Sequence, residues 1–109
     1  MYRKEVGDLF YSFQEERETD RSNMWLTCAL MKGEHRPEDL ISHLEKDNIE
    51  ARRIWKPMHE QPVMKGYRKY INGNSSLLFL QGICLPSGSD LTNKDMNRII
   101  KSIKTFFSK

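Results

Sequence analysis

The segment from Thr92 to Phe107 constrains this chain more than any other. Thr92-Asn93-Lys94-Asp95 matches a Thr-x-x-Asp pattern, in which the hydroxyl and the carboxylate can each satisfy a free backbone N–H of a first helical turn. Met96, Ile99, Ile100, Ile103, Phe106 and Phe107 then fall on one side at helical spacing, with Lys94, Arg98, Lys101 and Lys104 opposite. The apolar stripe has the width of an ordinary core-facing one, which favours core packing over a membrane surface. A chain of 109 residues has room for one modest core to receive it. The expectation is a single domain over residues 1–109 whose core covers the apolar face of this helix.

The remaining elements are shorter. Tyr2, Val6, Leu9 and Phe10 predict a helix over about residues 2–9, and Gln14–Asn23 is polar enough to be an exposed connection. Met24–Met31, "MWLTCALM", is apolar on both faces and reads as a buried central strand. Arg36-Pro37-Glu38-Asp39 looks like a helix start, with Leu40, Ile41 and Leu44 as the buried stripe and an end near Asp47-Asn48. Ile49–Ile54 reads as a short strand, Ser75–Gln81 as a turn or two of helix ending at Gly82, and Ile83–Leu85 as a buried strand. This order predicts an α+β fold in which a small, mostly antiparallel sheet of about three strands is covered by helices on one face.

Composition narrows the function classes. Hydrophobic content of 38% beside 30% charge describes a globular domain, and the longest apolar run is too short to cross a bilayer. The N-terminal "MYRKEVGDLF" carries charges where a signal peptide needs an apolar segment, so a cytoplasmic address is the default. A net charge of +3 spread along the chain is no footprint for nucleic acid. His35, His43 and His59 lack metal-site spacing, His43 reads as solvated, and no Gly-rich phosphate loop is present. Ser87 in "LPSGSD" lacks a nucleophile-elbow context and reads as a turn. Cys28 and Cys84 read as two small buried thiols rather than as a disulfide or a redox pair. No self-contained catalytic constellation is legible.

One stretch spends expensive residues without a regular period: "EARRIWKPMHEQPV", Glu50 to Val63, where Pro57 and Pro62 exclude a helix or a central strand. Taken by itself it is an ordered loop with solvated charges, its tryptophan plugging the core.

Three blocks together say more. "SNMWLTCALM", "LEKDNIEARRIWKPMHEQPV" and "GICLPSGSDLTNKD" resemble, in order and approximate spacing, the C-terminal small domain of DegT/DnrJ/StrS-type sugar aminotransferases. The similarity runs from about Tyr2 to Phe107, nearly the whole chain, and looks closest to the branch acting on UDP-linked 4-keto sugars. It implies the small-domain fold of aspartate-aminotransferase-type (fold type I) pyridoxal phosphate (PLP) enzymes. It also implies a nucleotide-sugar substrate, a large domain and a homodimer partner, with no nucleic acid and no membrane. Arg52, Lys56 and His59 would offer donors to a diphosphate or to sugar hydroxyls, while Trp55 and Pro57 would hold the loop's shape. Arg53 stands where the family usually has proline, which frees the backbone and adds a charge.

The resemblance also implies what this chain lacks. The Schiff-base lysine, the aspartate facing the pyridine nitrogen and the phosphate-binding residues belong to the family's large N-terminal domain. None of the ten lysines here lies in such a pattern, so the chain should bind no PLP and carry no catalytic residue by itself. The expected function is therefore the C-terminal part of a nucleotide-sugar aminotransferase of amino-sugar and polysaccharide biosynthesis, lining the substrate cleft. The alternative is a free-standing module that binds a nucleotide sugar or a protein without turnover.

Overall fold

The computed structural model describes residues 1–109. Its final helix, α4 (Asn93–Phe107), begins as its sequence requires: the Thr92 hydroxyl accepts from the Asp95 N–H at 3.2 Å, and the Asp95 carboxylate accepts from the Thr92 N–H at 3.0 Å. Hydrogen bonds from Thr92, side chain first and backbone second, hold the Asp95 carboxyl below the usual carboxylate range. Ile99, Ile100 and Ile103 are buried, whereas Phe106 and Phe107 are only partly covered.

Two more helices share this core. α1 (Tyr2–Val6) buries Tyr2 and Val6 and runs into a 3-10 turn at Gly7–Leu9. α2 (Pro37–Lys46) has proline in its first turn and buries Leu40 and Leu44. Asn48 follows it in the left-handed conformation (φ 53°), a backbone state that asparagine tolerates better than most residues. Arg98 of α4 donates to the Asp47 and Asn48 carbonyls, satisfying acceptors that the end of α2 leaves free. His43 is not simply solvated: its Nε2 lies 3.1 Å from the Ser102 carbonyl, and its ring packs on Phe106.

The sheet has four strands rather than three: β1 (Ser12–Phe13), β2 (Thr27–Leu30), β3 (Arg52–Arg53) and β4 (Gly82–Leu85). Their order is β1-β2-β4-β3, antiparallel throughout. The strand expected over Ile49–Ile54 is only two residues long, and β1 falls where no strand was expected, although Tyr11-Ser12-Phe13-Gln14 alternates apolar and polar residues. Ala29 and Ile83 are register partners, both buried in the core cluster, so their face carries the helices. Alternation puts the next row, Cys28–Cys84–Arg52, on the opposite face. This uncovered face positions the site.

The run Met24–Met31 is not buried from end to end. Asn23 Oδ1 accepts from the Trp25 N–H at 3.1 Å and Ser22 Oγ from the Met24 N–H at 3.0 Å, local turns that compete with the ladder. Met24 sits at φ 54°, and the strand starts only at Thr27.

α3 (Asn74–Gln81) buries none of its residues and joins β4 without a loop. Gly82 makes that seam possible. A Cβ there would lie 2.4 Å from the Leu78 carbonyl oxygen and 2.2 Å from Ile54 Cδ1. The isoleucine tip can swing aside; the backbone carbonyl cannot. Gly82→Ala should therefore destabilise by about 1–3 kcal/mol, read as a lower urea midpoint. An unchanged midpoint would mean that α3 can shift off β4 at no cost.

Candidate functional site

The three sequence blocks converge on one cleft of about 430 Å³, within the range of small-molecule sites. Trp25 and Leu26 come from the turn before β2, Glu50 to Arg53 and Trp55 from around β3, and Cys84 to Ser87 from β4 and the turn after it. Residues far apart in the chain meet because β4 pairs with β2 on one side and β3 on the other.

Two tryptophans form one wall. The Trp25 and Trp55 rings lie 6.4 Å apart, tilted by 40°, and are 70% and 65% exposed. The expectation that Trp55 plugs the core is thus corrected. Once β3 ends at Arg53 the chain leaves the sheet edge, and the indole stays at the surface beside Trp25. Pro57, by contrast, is buried.

Arg52 supplies the cleft's accessible positive charge. It pairs with Glu50 at 2.6 Å, and the two side chains are 76% and 72% exposed. Such exposed pairs contribute about 0–1 kcal/mol, so the guanidinium is free to turn to a ligand anion at little cost. Arg53 is differently placed. Its guanidinium bonds Glu38 of α2 and the Phe79 carbonyl of α3, and lies 4.1 Å over the Phe79 ring. In place of a freed, solvated loop charge it is a clamp between two helices.

Lys56 and His59 are not brought to the cleft. Lys56 is exposed, and its carbonyl accepts from Gln61 Nε2 at 3.2 Å. After Pro57 the chain makes two 3-10 turns, Met58–Glu60 and Pro62–Met64, which carry His59 towards α3. There its Nε2 lies 3.3 Å from the Ser76 hydroxyl, which also donates to Glu60 at 3.1 Å. Ser87 is held as a turn residue, donating to the Leu85 carbonyl at 2.7 Å and accepting from the Thr27 N–H at 2.8 Å.

Sequence reasoning missed Trp25, whose apolar neighbours suggested a buried strand; the polar Ser22-Asn23 pair just before it was the available signal. It also missed the meeting of the cysteines. Cys28 and Cys84 are free, with their sulfurs 3.6 Å apart. Burial first, then the hydrogen bond and charge of Cys28, push the Cys84 thiol up to about 12. No group of three or more His, Cys, Asp or Glu side chains is gathered to hold a metal.

The profile of the DegT/DnrJ/EryC1/StrS aminotransferase family matches residues 1–104. The chain belongs to this family. Among family relatives, EpsN of Bacillus subtilis (strain 168), assigned as a pyridoxal phosphate-dependent aminotransferase, is 35% identical over 111 residues, covering 97% of this chain. GDP-perosamine synthase of Escherichia coli O157:H7 is 28% identical over 99% of it. The crystal structure of a DegT DnrJ EryC1 StrS aminotransferase from Brucella abortus superposes over 99% of the chain with a TM-score of 0.83 at 23% identity, a likeness of fold. This chain spans 29% of the length of each of the three.

The residues present do not suit the family's cofactor. A Schiff-base lysine has to be fixed against the cofactor aldehyde, with a carboxylate at the ring nitrogen. All ten lysines are exposed, and none lines the cleft. No helix is long and apolar enough to cross a membrane.

Proposed function

We propose that this chain is the C-terminal portion of a PLP-dependent nucleotide-sugar aminotransferase of amino-sugar and polysaccharide biosynthesis in the cytoplasm. It forms one wall of the substrate cleft and performs no catalysis alone; a large domain and a homodimer partner supply the cofactor site. The observation that carries this reading is the convergence of the three blocks on one cleft with aromatic faces and a loosely held arginine. In that cleft Arg52 takes a diphosphate oxygen and Trp25 and Trp55 offer apolar faces to the base or sugar, while buried Pro57 anchors the loop that follows Trp55. Lys56 and His59 lie beyond the rim and serve only a ligand long enough to leave it.

The surface of α3 supports the larger assembly. Leu77, Leu78 and Leu80 are exposed, as are Tyr67, Tyr70 and Ile71 of the loop before it. Large exposed apolar side chains gathered on one helix and the loop before it suit docking of the rest of the enzyme.

The test is a titration of the 109-residue chain with UDP, GDP and a UDP-sugar, followed by backbone amide shifts. With only part of the ligand held, affinity should be about millimolar, near −4 kcal/mol, and the shifting amides should be those of Trp25, Arg52, Trp55 and Ser87. Arg52→Ala and Trp55→Ala should weaken binding severalfold while the melting temperature stays nearly constant, because both side chains are exposed. Shifts confined to the Lys56–His59 turns, or no shift at all, would sink the assignment of the cleft.

A further inference from the structure

The sheet face that carries the cleft also carries two thiols for which substrate binding gives no role. Cys28 and Cys84 are register partners on β2 and β4. The Met31 N–H donates to the Gln81 carbonyl, and this sets the phase of the ladder. Counting back along the register from that bonded pair, Cys28 and Cys84 form a non-hydrogen-bonded pair, the arrangement with Cα atoms about 4.5 Å apart. That spacing lies within the span a disulfide bridges. Their side chains point to the same uncovered face, and the sulfurs already lie 3.6 Å apart. Access differs between them: Cys84 is nearly buried at the cleft wall, while Cys28 is half-buried and lines an adjoining hollow on the N-terminal side.

We propose that Cys28 and Cys84 are a redox-active dithiol, oxidised by hydrogen peroxide to a disulfide that bridges β2 and β4. The Cys28 thiolate attacks one peroxide oxygen, the O–O bond breaks, and the departing hydroxide takes a proton to leave as water. Cys28 is then a sulfenic acid. The Cys84 sulfur attacks the Cys28 sulfur, expelling hydroxide, which leaves as a second water with the Cys84 proton. Each sulfur is oxidised by one electron, and the two peroxide oxygens are reduced to water. A dithiol reductant returns both thiols by exchange. The division of labour follows from the environments. The more accessible sulfur meets the oxidant, and the buried one, whose proton is firmly held, acts second and at short range. Once closed, the bridge fastens the strand that follows Trp25 to the strand that leads into Pro86 and Ser87. This inference rests on the two strands alone and is independent of the aminotransferase reading.

The experiment uses the reduced 109-residue chain and hydrogen peroxide, with thiols blocked at intervals and peptides mapped by mass. A Cys28–Cys84 peptide lighter by two hydrogens (about 2 Da) should form within one molecule, and dithiothreitol should remove it. It should form faster in the folded chain than in urea, where the two cysteines are 56 residues apart on an open chain. Cys84→Ala should leave Cys28 as a sulfenic acid trapped by dimedone, whereas Cys28→Ala should leave Cys84 largely unreacted. Oxygen addition at either cysteine without a cross-link, links only between molecules, or equal rates in urea would each overturn the proposal. The wild-type map decides even if a variant fails to fold.

Discussion

Ile103→Ala should lower the melting temperature by about 10 °C or more, the largest stability loss expected from any single truncation on α4. Ile103 is fully buried, at 0% exposure, in the cluster shared by all three core helices and the sheet. Truncating such a residue to alanine costs about 2–5 kcal/mol, because a cavity remains after the lost transfer energy. A domain of this size holds only about 5–15 kcal/mol in total, and each kcal/mol moves its melting point by about 4–8 °C. Phe106→Ala should cost less, since that ring is only partly covered and rests on His35, His43 and Phe107 at the edge. Lys101→Ala, on the exposed side, should stay within about 0.5 kcal/mol. Thermal melts of the three variants check the ranking, and equal effects would mean that the buried face of α4 is misassigned.

PLP added to the chain should produce no saturable absorbance band, and borohydride should fix no single lysine at near-full occupancy. Transaminase activity of the chain alone should match a buffer blank. The reason is local chemistry. A lysine becomes a reactive amine at neutral pH through desolvation or a cationic neighbour, and the cofactor ring needs a carboxylate at its nitrogen. Every lysine here is exposed, and the cleft contains arginines instead. Absorbance titration followed by peptide mapping of reduced samples measures this directly. One lysine trapped stoichiometrically would show that this chain holds a cofactor site of its own.

How much of this could be read from the chain depended on the range of the deciding forces. α4 and α2 were legible almost to the residue, because caps, proline placement and apolar period are written within one or two helical turns. The helix before Gly82 was legible only from its breakers, Asn72-Gly73-Asn74 ahead of it and Gly82 behind. The sheet was less so. β1 exists because Ser12 and Phe13 find Leu30 and Ala29 across a long polar connection, and nothing local announces that pairing. Trp25 was misread as core because apolar character was allowed to outvote the Ser22-Asn23 turn beside it. In the candidate site, Arg52 lines the cleft, whereas Lys56 and His59, grouped with it by adjacency in sequence, do not. Two tight turns after Pro57 separate what the text of the sequence keeps together. The cysteines show the converse, 56 positions apart in the chain and in contact in the sheet.

The packing of α1 against α4 has a bearing on how the chain is made. Lys104 reaches Glu5 across 99 positions, and the Tyr2 hydroxyl donates to the Pro86 carbonyl at 2.8 Å. Within this stretch a ribosome makes α1 some ninety residues before α4, so Tyr2 and Val6 wait for the partner that covers them. β2 likewise waits for β4, which emerges more than fifty residues later. Domains dominated by such distant pairings close late and expose apolar surface while they wait. The apolar faces of α1 and β2 are therefore expected to stay uncovered until Ile99, Ile100 and Ile103 have left the exit tunnel.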